Sequence, residues 1–276
     1  MSTPRTILIT GCSTGIGLAS ARTLKSRGWR VIATARKPED IARLKADEGL
    51  ETLHCEMADT QSVAQCVEEA LALTSGRLDA LYNNAAYGII GAMEDVTPDK
   101  LRHQFEVNVI SAHALTRGVV PAMRAQGHGR IVMCSSVLGF IAGPYRGAYC
   151  ASKYALEAMS DAFRLELKPS GIHVSLIEPG PIESEFLATT ITSFKNGIDM
   201  ANSAHAAYYE RRLAEMQVGG KSSIKLGPDA VVARLVHALE SPRPKARYRV
   251  GLATHAAAIL KRALPDVLLD RVLMRM

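Results

Sequence analysis

Short runs dominated by apolar and β-branched residues recur along the chain at positions 6–10, 30–34, 51–54, 78–82, 129–135, 172–177 and 248–251. They are too short for helices, and most lack the polar alternation of a strand with one wet face, so they read as strands covered on both sides. Between them lie longer stretches in which apolar residues return every three or four positions, the spacing of an amphipathic helix. Helices are predicted to begin near Gly15, Pro38, Thr60, Thr97, Ala148 and Pro228, several of them marked by a capping residue or an early proline. Strand and helix in alternation call for an α/β fold, a Rossmann-like doubly wound sheet of about seven parallel strands with helices on both faces. Ligands of such a sheet are expected at the carboxyl ends of its strands.

One interval breaks the alternation. Residues 183–227 are long for a connection inside a compact domain and carry Phe186, Phe194, Tyr208 and Tyr209, which predicts a segment covering an apolar site. An ordinary helical hairpin of the core is the competing reading. The tail at residues 252–276 mixes leucines with basic residues around Pro265; its apolar stretch is short, so it is expected to pack on the core or a partner subunit rather than on a membrane surface. No linker composition intervenes, and residues 1–276 are read as a single domain.

Composition changes the picture only at its edges. Hydrophobic residues make up 47% of the 276, which fits a folded globular chain, and no run approaches the ~18 apolar residues of a membrane span. The first apolar run, Ile7-Leu8-Ile9, is too short for a signal-peptide core, so a cytoplasmic protein is expected. Five cysteines, Cys12, Cys55, Cys66, Cys134 and Cys150, contain no C-x-x-C pair and read as buried apolar residues, with no metal site implied. The net charge of +6 is scattered except at Arg243, Lys245, Arg247 and Arg249, which read as a solvated surface; no nucleic-acid-binding signature accompanies them.

Candidate chemistry begins at residues 10–17, TGCSTGIG. Gly11, Ser13 and Gly15 fit a serine nucleophile on a strand-to-helix turn, while Gly11, Gly15 and Gly17 fit a loop that lets a pyrophosphate reach a helix N-terminus. The motif follows the first strand, where a dinucleotide fold places its phosphate loop, and position favours the second reading. An esterase would also need an acid and a histidine, and His54, His103 and His173 are not placed convincingly for it. Further along, AYCASKYAL puts Tyr149 and Lys153 one helical turn apart on one face. A tyrosine with a pKa near ~10 is a poor acid or base at neutral pH; a lysine ammonium and an oxidised nicotinamide beside it would stabilise the phenolate.

Together with the NNAA of residues 83–86, Asn108 in FEVNVISA, Ser135-Ser136 in RIVMCSSVLG and Pro179-Gly180 in IEPGPIES, these motifs make the chain resemble the short-chain dehydrogenase/reductase family, in particular its steroid- and retinol-dehydrogenase-like branch. The resemblance implies that Tyr149 exchanges a proton with the substrate oxygen and that Lys153 lowers its pKa and binds the nicotinamide ribose. It makes Ser136 the partner of the substrate oxygen, with Ser135 supporting the strand end. Asn108 would interrupt its helix to hold a water that links Lys153 to solvent. Dinucleotide binding falls to Gly11, Ser13, Thr14, Gly15, Ile16 and Gly17, to Met57, to Asn83 and Ala85 on the adenosine side, to Tyr149 and Lys153 themselves, and to Pro179, Gly180, Ile182 and Ser184 around the nicotinamide. Two departures stand out: Ala86 where glycine is common, and Glu56 where the family has aspartate, which shifts the adenine contact to the Met57 backbone. At the end of VIATARK there is no acid for the ribose hydroxyls, and Arg36 is placed to clamp a 2′-phosphate, so NADP is the expected cofactor, with NAD as second choice.

Leu138, Phe140, Ile141, Pro144, Tyr145 and Phe186 suit an apolar ketone, aldehyde or alcohol as substrate. Family members are typically homodimers or homotetramers, and the same is expected here. The rival is a protein that senses a dinucleotide without turnover; it would not need Ser136, Tyr149, Lys153 and Asn108, all of which are present.

Overall fold

Ile7 and Ile9 belong to one hydrophobic core and Leu8, between them, to another, because successive side chains of strand β1 (Thr6–Ile9) point to opposite faces. Both faces are dry, which is why the strand is apolar throughout. The same holds along β2 (Arg30–Ala35), β4 (Ala80–Asn83), β5 (Gly129–Cys134) and β6 (Ile172–Pro179), while β3 (Glu51–His54) and β7 (Arg247–Val250) form the edges. The computed structural model describes residues 4–183, 190, 198–217 and 226–274. Its sheet has seven strands, all parallel, in the order β3-β2-β1-β4-β5-β6-β7. The order reverses between β1 and β4, and that crevice is where a doubly wound sheet takes its ligand.

Helix α1 (Gly15–Ser26) covers one face, its Leu24 sharing a core with Val231 and Leu235 of α8 (Asp229–Glu240). The other face is covered by α3 (Thr60–Leu73) and α5 (Ser111–Gln126), through Val63, Val67, Leu115 and Val119, with Leu156 of α6 (Gly147–Glu166). The remaining helix near the sheet, α2 (Pro38–Ala46), begins with proline at its first turn and has acids there, as a helix start favours. The helix predicted near Thr97 is α4 (Pro98–Phe105); the chain then widens into one π-helical turn, Glu106–Ile110, and continues directly as α5.

One expectation is altered. The basic stretch is not uniformly solvated: Arg243 and Lys245 are exposed, but β7 alternates, so Tyr248 and Val250 enter the core while Arg247 and Arg249 turn to the other face and meet the carboxylates of Glu157, Asp161 and Glu178. The tail forms α9 (Leu252–Ala263) and α10 (Asp266–Leu273), which bury Ala257, Ala258 and Leu269 yet leave Leu252, Ile259, Val267 and Met274 exposed. The five cysteines are buried and free. Among the described residues no helix is long and apolar enough to cross a membrane, and no cluster of metal-ligating side chains is found.

The segment at 183–227 leaves and returns at one point. Ile182 pairs with Leu226, Glu183 N–H donating to the Leu226 carbonyl at 2.9 Å and Leu226 N–H to the Pro181 carbonyl at 3.2 Å. Its described part carries α7 (Ala206–Gln217), and Tyr209 on that helix is wholly buried against Ile90, Ala92 and Ile198. Phe186, Phe194 and Ser184 lie outside the described residues. The Tyr209 hydroxyl accepts from Ala92 N–H at 2.8 Å and donates to the Asp95 carboxylate. Tyr209→Phe should therefore lower unfolding stability by about 1–3 kcal/mol, because a buried amide loses its acceptor; urea unfolding followed by circular dichroism measures it.

Candidate active site

The glycine turn after β1 is built by contacts only glycine permits. Gly11 has φ +71°, and a Cβ there would come within 3.0 Å of the Ala85 Cα; at Gly17 a Cβ would meet the Gly11 carbonyl oxygen at 2.1 Å. Asn84 holds the turn from β4, its Nδ2 donating to the carbonyls of Thr10 (2.9 Å) and Gly11 (3.2 Å). Thr10 answers in kind: its Oγ1 accepts from the N–H of Asn84 and of Ala85, each at 2.9 Å. Nothing in the local sequence singles out either residue for this task. Asn83 turns the other way, its buried side chain donating to Thr116 Oγ1 at 3.1 Å, so only its main chain reaches the strand end.

The mouth of this turn is open to an anion. Thr14 stands at the N-cap of α1 without a side-chain bond to the helix, and the first turn holds no acid. The first amides take no side-chain cap, and the helix dipole points its positive end outward, the setting that receives a phosphate. Ile16 packs on the core below, and the Ser13 carbonyl accepts from Arg43 of α2 at 2.5 Å. Arg36, just after β2, is exposed and makes no ion pair among the described residues. Met57 is buried beside Cys55, and the Glu56 carboxylate takes the N–H of Ala58 within its own turn. His54 is bonded to Ser62 and His103 packs on Tyr87, so neither serves Ser13 as an esterase base.

On the far side of the crevice, α6 presents Tyr149 and Lys153. Ser136 caps a short 3₁₀ turn, Val137–Gly139, accepting from Leu138 N–H at 3.1 Å, and its side chain is hydrogen-bonded to Tyr149. Lys153 is buried beneath, Nζ donating to the Cys134 carbonyl at the end of β5 at 2.7 Å and standing 5.7 Å from the Tyr149 ring centre. Asn108 sits inside the π turn, a common device for presenting a functional group from within a helix. Its side chain clamps the loop after β4, accepting from Tyr87 N–H (3.1 Å) and donating to the Tyr87 carbonyl (2.9 Å), and it also donates to Ser152 Oγ (3.0 Å) on α6.

The electrostatics differ from the simple expectation at Tyr149. Burial pushes its phenol well above the ordinary tyrosine range, while the Ser136 hydrogen bond and Arg146 oppose the rise. Burial likewise pulls the Lys153 amine down. The ammonium is drawn toward the Cys134 carbonyl, so in the protein by itself desolvation outweighs the help the lysine gives the phenolate.

Pro179 ends β6. Gly180 donates its N–H to the Val250 carbonyl at 3.1 Å, and a Cβ there would meet Thr254 Oγ1 at 2.8 Å. Ile182 faces Leu226, and its own N–H takes no part in the two bonds of that bridge. Of the apolar residues expected around the site, Ile141 is buried in the fold and Phe140 lies under the Arg249 guanidinium, 6.0 Å from its ring centre. Tyr145 stacks on Tyr208 of α7 with ring centres 3.6 Å apart and bonds His205 Nδ1 at 3.3 Å, joining α7 to the start of α6.

Residues 5–193 match the family model described as short chain dehydrogenase. The chain belongs to the short chain dehydrogenase family. It is an oxidoreductase of CH–OH and C=O groups that uses a nicotinamide dinucleotide. This short chain dehydrogenase is 43% identical over 269 residues to the uncharacterized oxidoreductase YbbO of Escherichia coli K12, covering 98% of this chain and 94% of that one. It is 32% identical over 253 residues to human 17-beta-hydroxysteroid dehydrogenase type 1, covering 88% of this chain and 76% of that one. Among solved structures, a short-chain dehydrogenase from Streptomyces avermitilis superimposes with a TM-score of 0.76 at 28% identity, over 99% of this dehydrogenase and 94% of that chain.

Proposed function

We propose that the protein is an NADP(H)-dependent reductase or dehydrogenase of apolar ketones, aldehydes and their alcohols, with Tyr149 as general acid and base. The observation that carries this reading is the hydrogen-bonded pair Ser136–Tyr149 standing over buried Lys153, across the crevice from a glycine turn that leaves a helix N-terminus open. Gly11, Gly15 and Gly17 admit the pyrophosphate to that turn, and Arg36 takes the 2′-phosphate by a charge-assisted, bidentate contact. Ser13, Thr14 and Ile16 form the rest of the turn, Met57, Asn83 and Ala85 border the adenosine, and Pro179, Gly180, Ile182 and Ser184 border the nicotinamide. The bound nicotinamide supplies or takes the hydride.

In reduction, the Ser136 hydroxyl holds the carbonyl oxygen and Tyr149 gives it a proton; in oxidation Tyr149 removes that proton from the alcohol. Lys153 stabilises the phenolate and restores its proton, and Asn108, in the π turn before α5, holds a water that links the lysine to solvent. Support for an apolar substrate comes from the likeness to a steroid dehydrogenase and from the aromatic face formed by Tyr145 and Tyr208. A dimer or tetramer is the assembly we propose, after the habit of the family.

The test is oxidation of NADPH and of NADH at 340 nm against a panel of apolar ketones and aldehydes, wild type beside Arg36→Asp. The variant should raise the KM for NADPH at least about tenfold, since one charge-assisted contact of ~1.5–3 kcal/mol is lost, and change that for NADH far less. Equal effects on both cofactors would remove the 2′-phosphate role. Tight NADPH binding without turnover on any carbonyl would favour a dinucleotide sensor.

A further inference from the structure

A buried amine sheds its proton unless an anion stands by it. Lys153 is only 2% exposed, yet the chemistry proposed for it requires an ammonium. The groups that face it are Tyr149 and Glu157 on its own helix and Cys134 at the end of β5. Burial holds both the Cys134 thiol and the Tyr149 phenol in their neutral forms. Glu157 remains as the one carboxyl acting on the amine among the described residues.

Glu157 is itself 7% exposed and lies four residues after Lys153, on the same face of α6. Its Oε2 accepts from Arg247 Nε of β7 at 3.1 Å. Its Oε1 side faces the Ser135 hydroxyl next to Ser136, and Gly139 makes the room: a Cβ there would come within 2.5 Å of Ser135 Oγ and 3.3 Å of Glu157 Oε1. Arg247 is shared with Asp161 of α6 and with Glu178 of β6, which also pairs with Arg249; Asp161 at the outer end takes Arg164 as well. Burial, reinforced by Glu178, pushes the Glu157 carboxyl up to about 7, against the pull of Ser135 and Arg247. The acid is therefore ionised on the alkaline side of neutrality, where a buried lysine most needs a partner.

We propose that Glu157 is the counter-charge that keeps Lys153 an ammonium, a positioning residue that acts through the lysine and does not touch the substrate. The idea rests on Tyr149 and Lys153 being the proton-transfer pair. Arg247 supports it from behind, a cation that favours the ionised carboxylate.

Cofactor-free protein labelled with 13Cε-lysine tests it directly, with Lys153→Met assigning the resonance. In Glu157→Gln the titration midpoint of Lys153 should fall, by about one pH unit, because an opposite charge one helical turn away is removed. In Glu157→Asp it should stay near wild type. A midpoint unmoved or raised in Glu157→Gln overturns the proposal. If Glu157→Gln does not fold, 13Cδ-glutamate labelling of Lys153→Met decides: the Glu157 midpoint should rise when the ammonium is removed, and an unmoved one overturns the proposal. Decanal reduction by wild type and Tyr149→Phe keeps the two ideas apart. Full activity in Tyr149→Phe would sink the catalytic reading only, whereas an inactive Tyr149→Phe with an unmoved Lys153 midpoint would sink the counter-charge only.

Discussion

Tyr149→Phe should reduce carbonyl turnover by about 10²–10⁴-fold while leaving the affinity for NADPH close to wild type. The change removes one oxygen from a site whose ring position is set by α6, so packing is retained and only the proton donor is lost. Two partners feel the loss: Ser136 no longer has a phenol to bond, and Lys153, already bonded to the Cys134 carbonyl, has none to assist. Steady-state kinetics with NADPH, paired with a fluorescence titration of NADPH binding, gives both numbers on one preparation. Turnover within about threefold of wild type would mean that water or another group supplies the proton. A large loss of binding together with turnover would mean that Tyr149 mainly shapes the dinucleotide site.

Gly17→Ala should have the largest effect on cofactor binding of any single methyl group added to the protein. Its Cβ would fall 2.1 Å from the Gly11 carbonyl oxygen and 2.7 Å from Asn84 Nδ2, and the first of these is backbone that cannot swing away. Helix and turn must separate, which breaks the Asn84 bonds that fix the turn and moves the open amides of α1 out of reach of a phosphate. Overpacking of this kind costs about 1–3 kcal/mol of folding stability. The binding loss should be at least comparable, so the Kd for NADPH should rise by about tenfold or more. Urea unfolding and the same fluorescence titration measure the two separately. Unchanged NADPH affinity would show that the turn does not hold the pyrophosphate.

The sheet was legible because its strands are dry on both faces, and that writes them as plain apolar runs whose number and spacing survive without any tertiary information. The candidate pair on α6 was legible for a different reason, since Tyr149 and Lys153 are one turn apart and their pairing is local. What escaped were pairings between residues far apart in the chain. NNAA contains two asparagines, and nothing local tells which one turns back to the glycine loop; Asn84 does, through the carbonyls of Thr10 and Gly11, while Asn83 enters the core. Arg247 and Arg249 looked like surface charge because their carboxylates sit about 70 to 90 residues earlier, on α6 and β6. The period of two that hides Tyr248 and Val250 on one side of β7 also aims these arginines at the other, a signal present in the sequence but masked by their charge.

The bridge between Ile182 and Leu226 gives the chain a cinch, two hydrogen bonds that bring together the two ends of the long connection between β6 and α8 like the neck of a purse. Chain threaded through such a neck can lengthen or shorten at small entropic cost, because loop-closure entropy grows only with the logarithm of length. Changes of that kind stop at the neck and leave β6, β7 and the catalytic helix in register. Changes beyond the neck and changes in the sheet are thus mechanically separable, and selection can reshape the first without retuning the second.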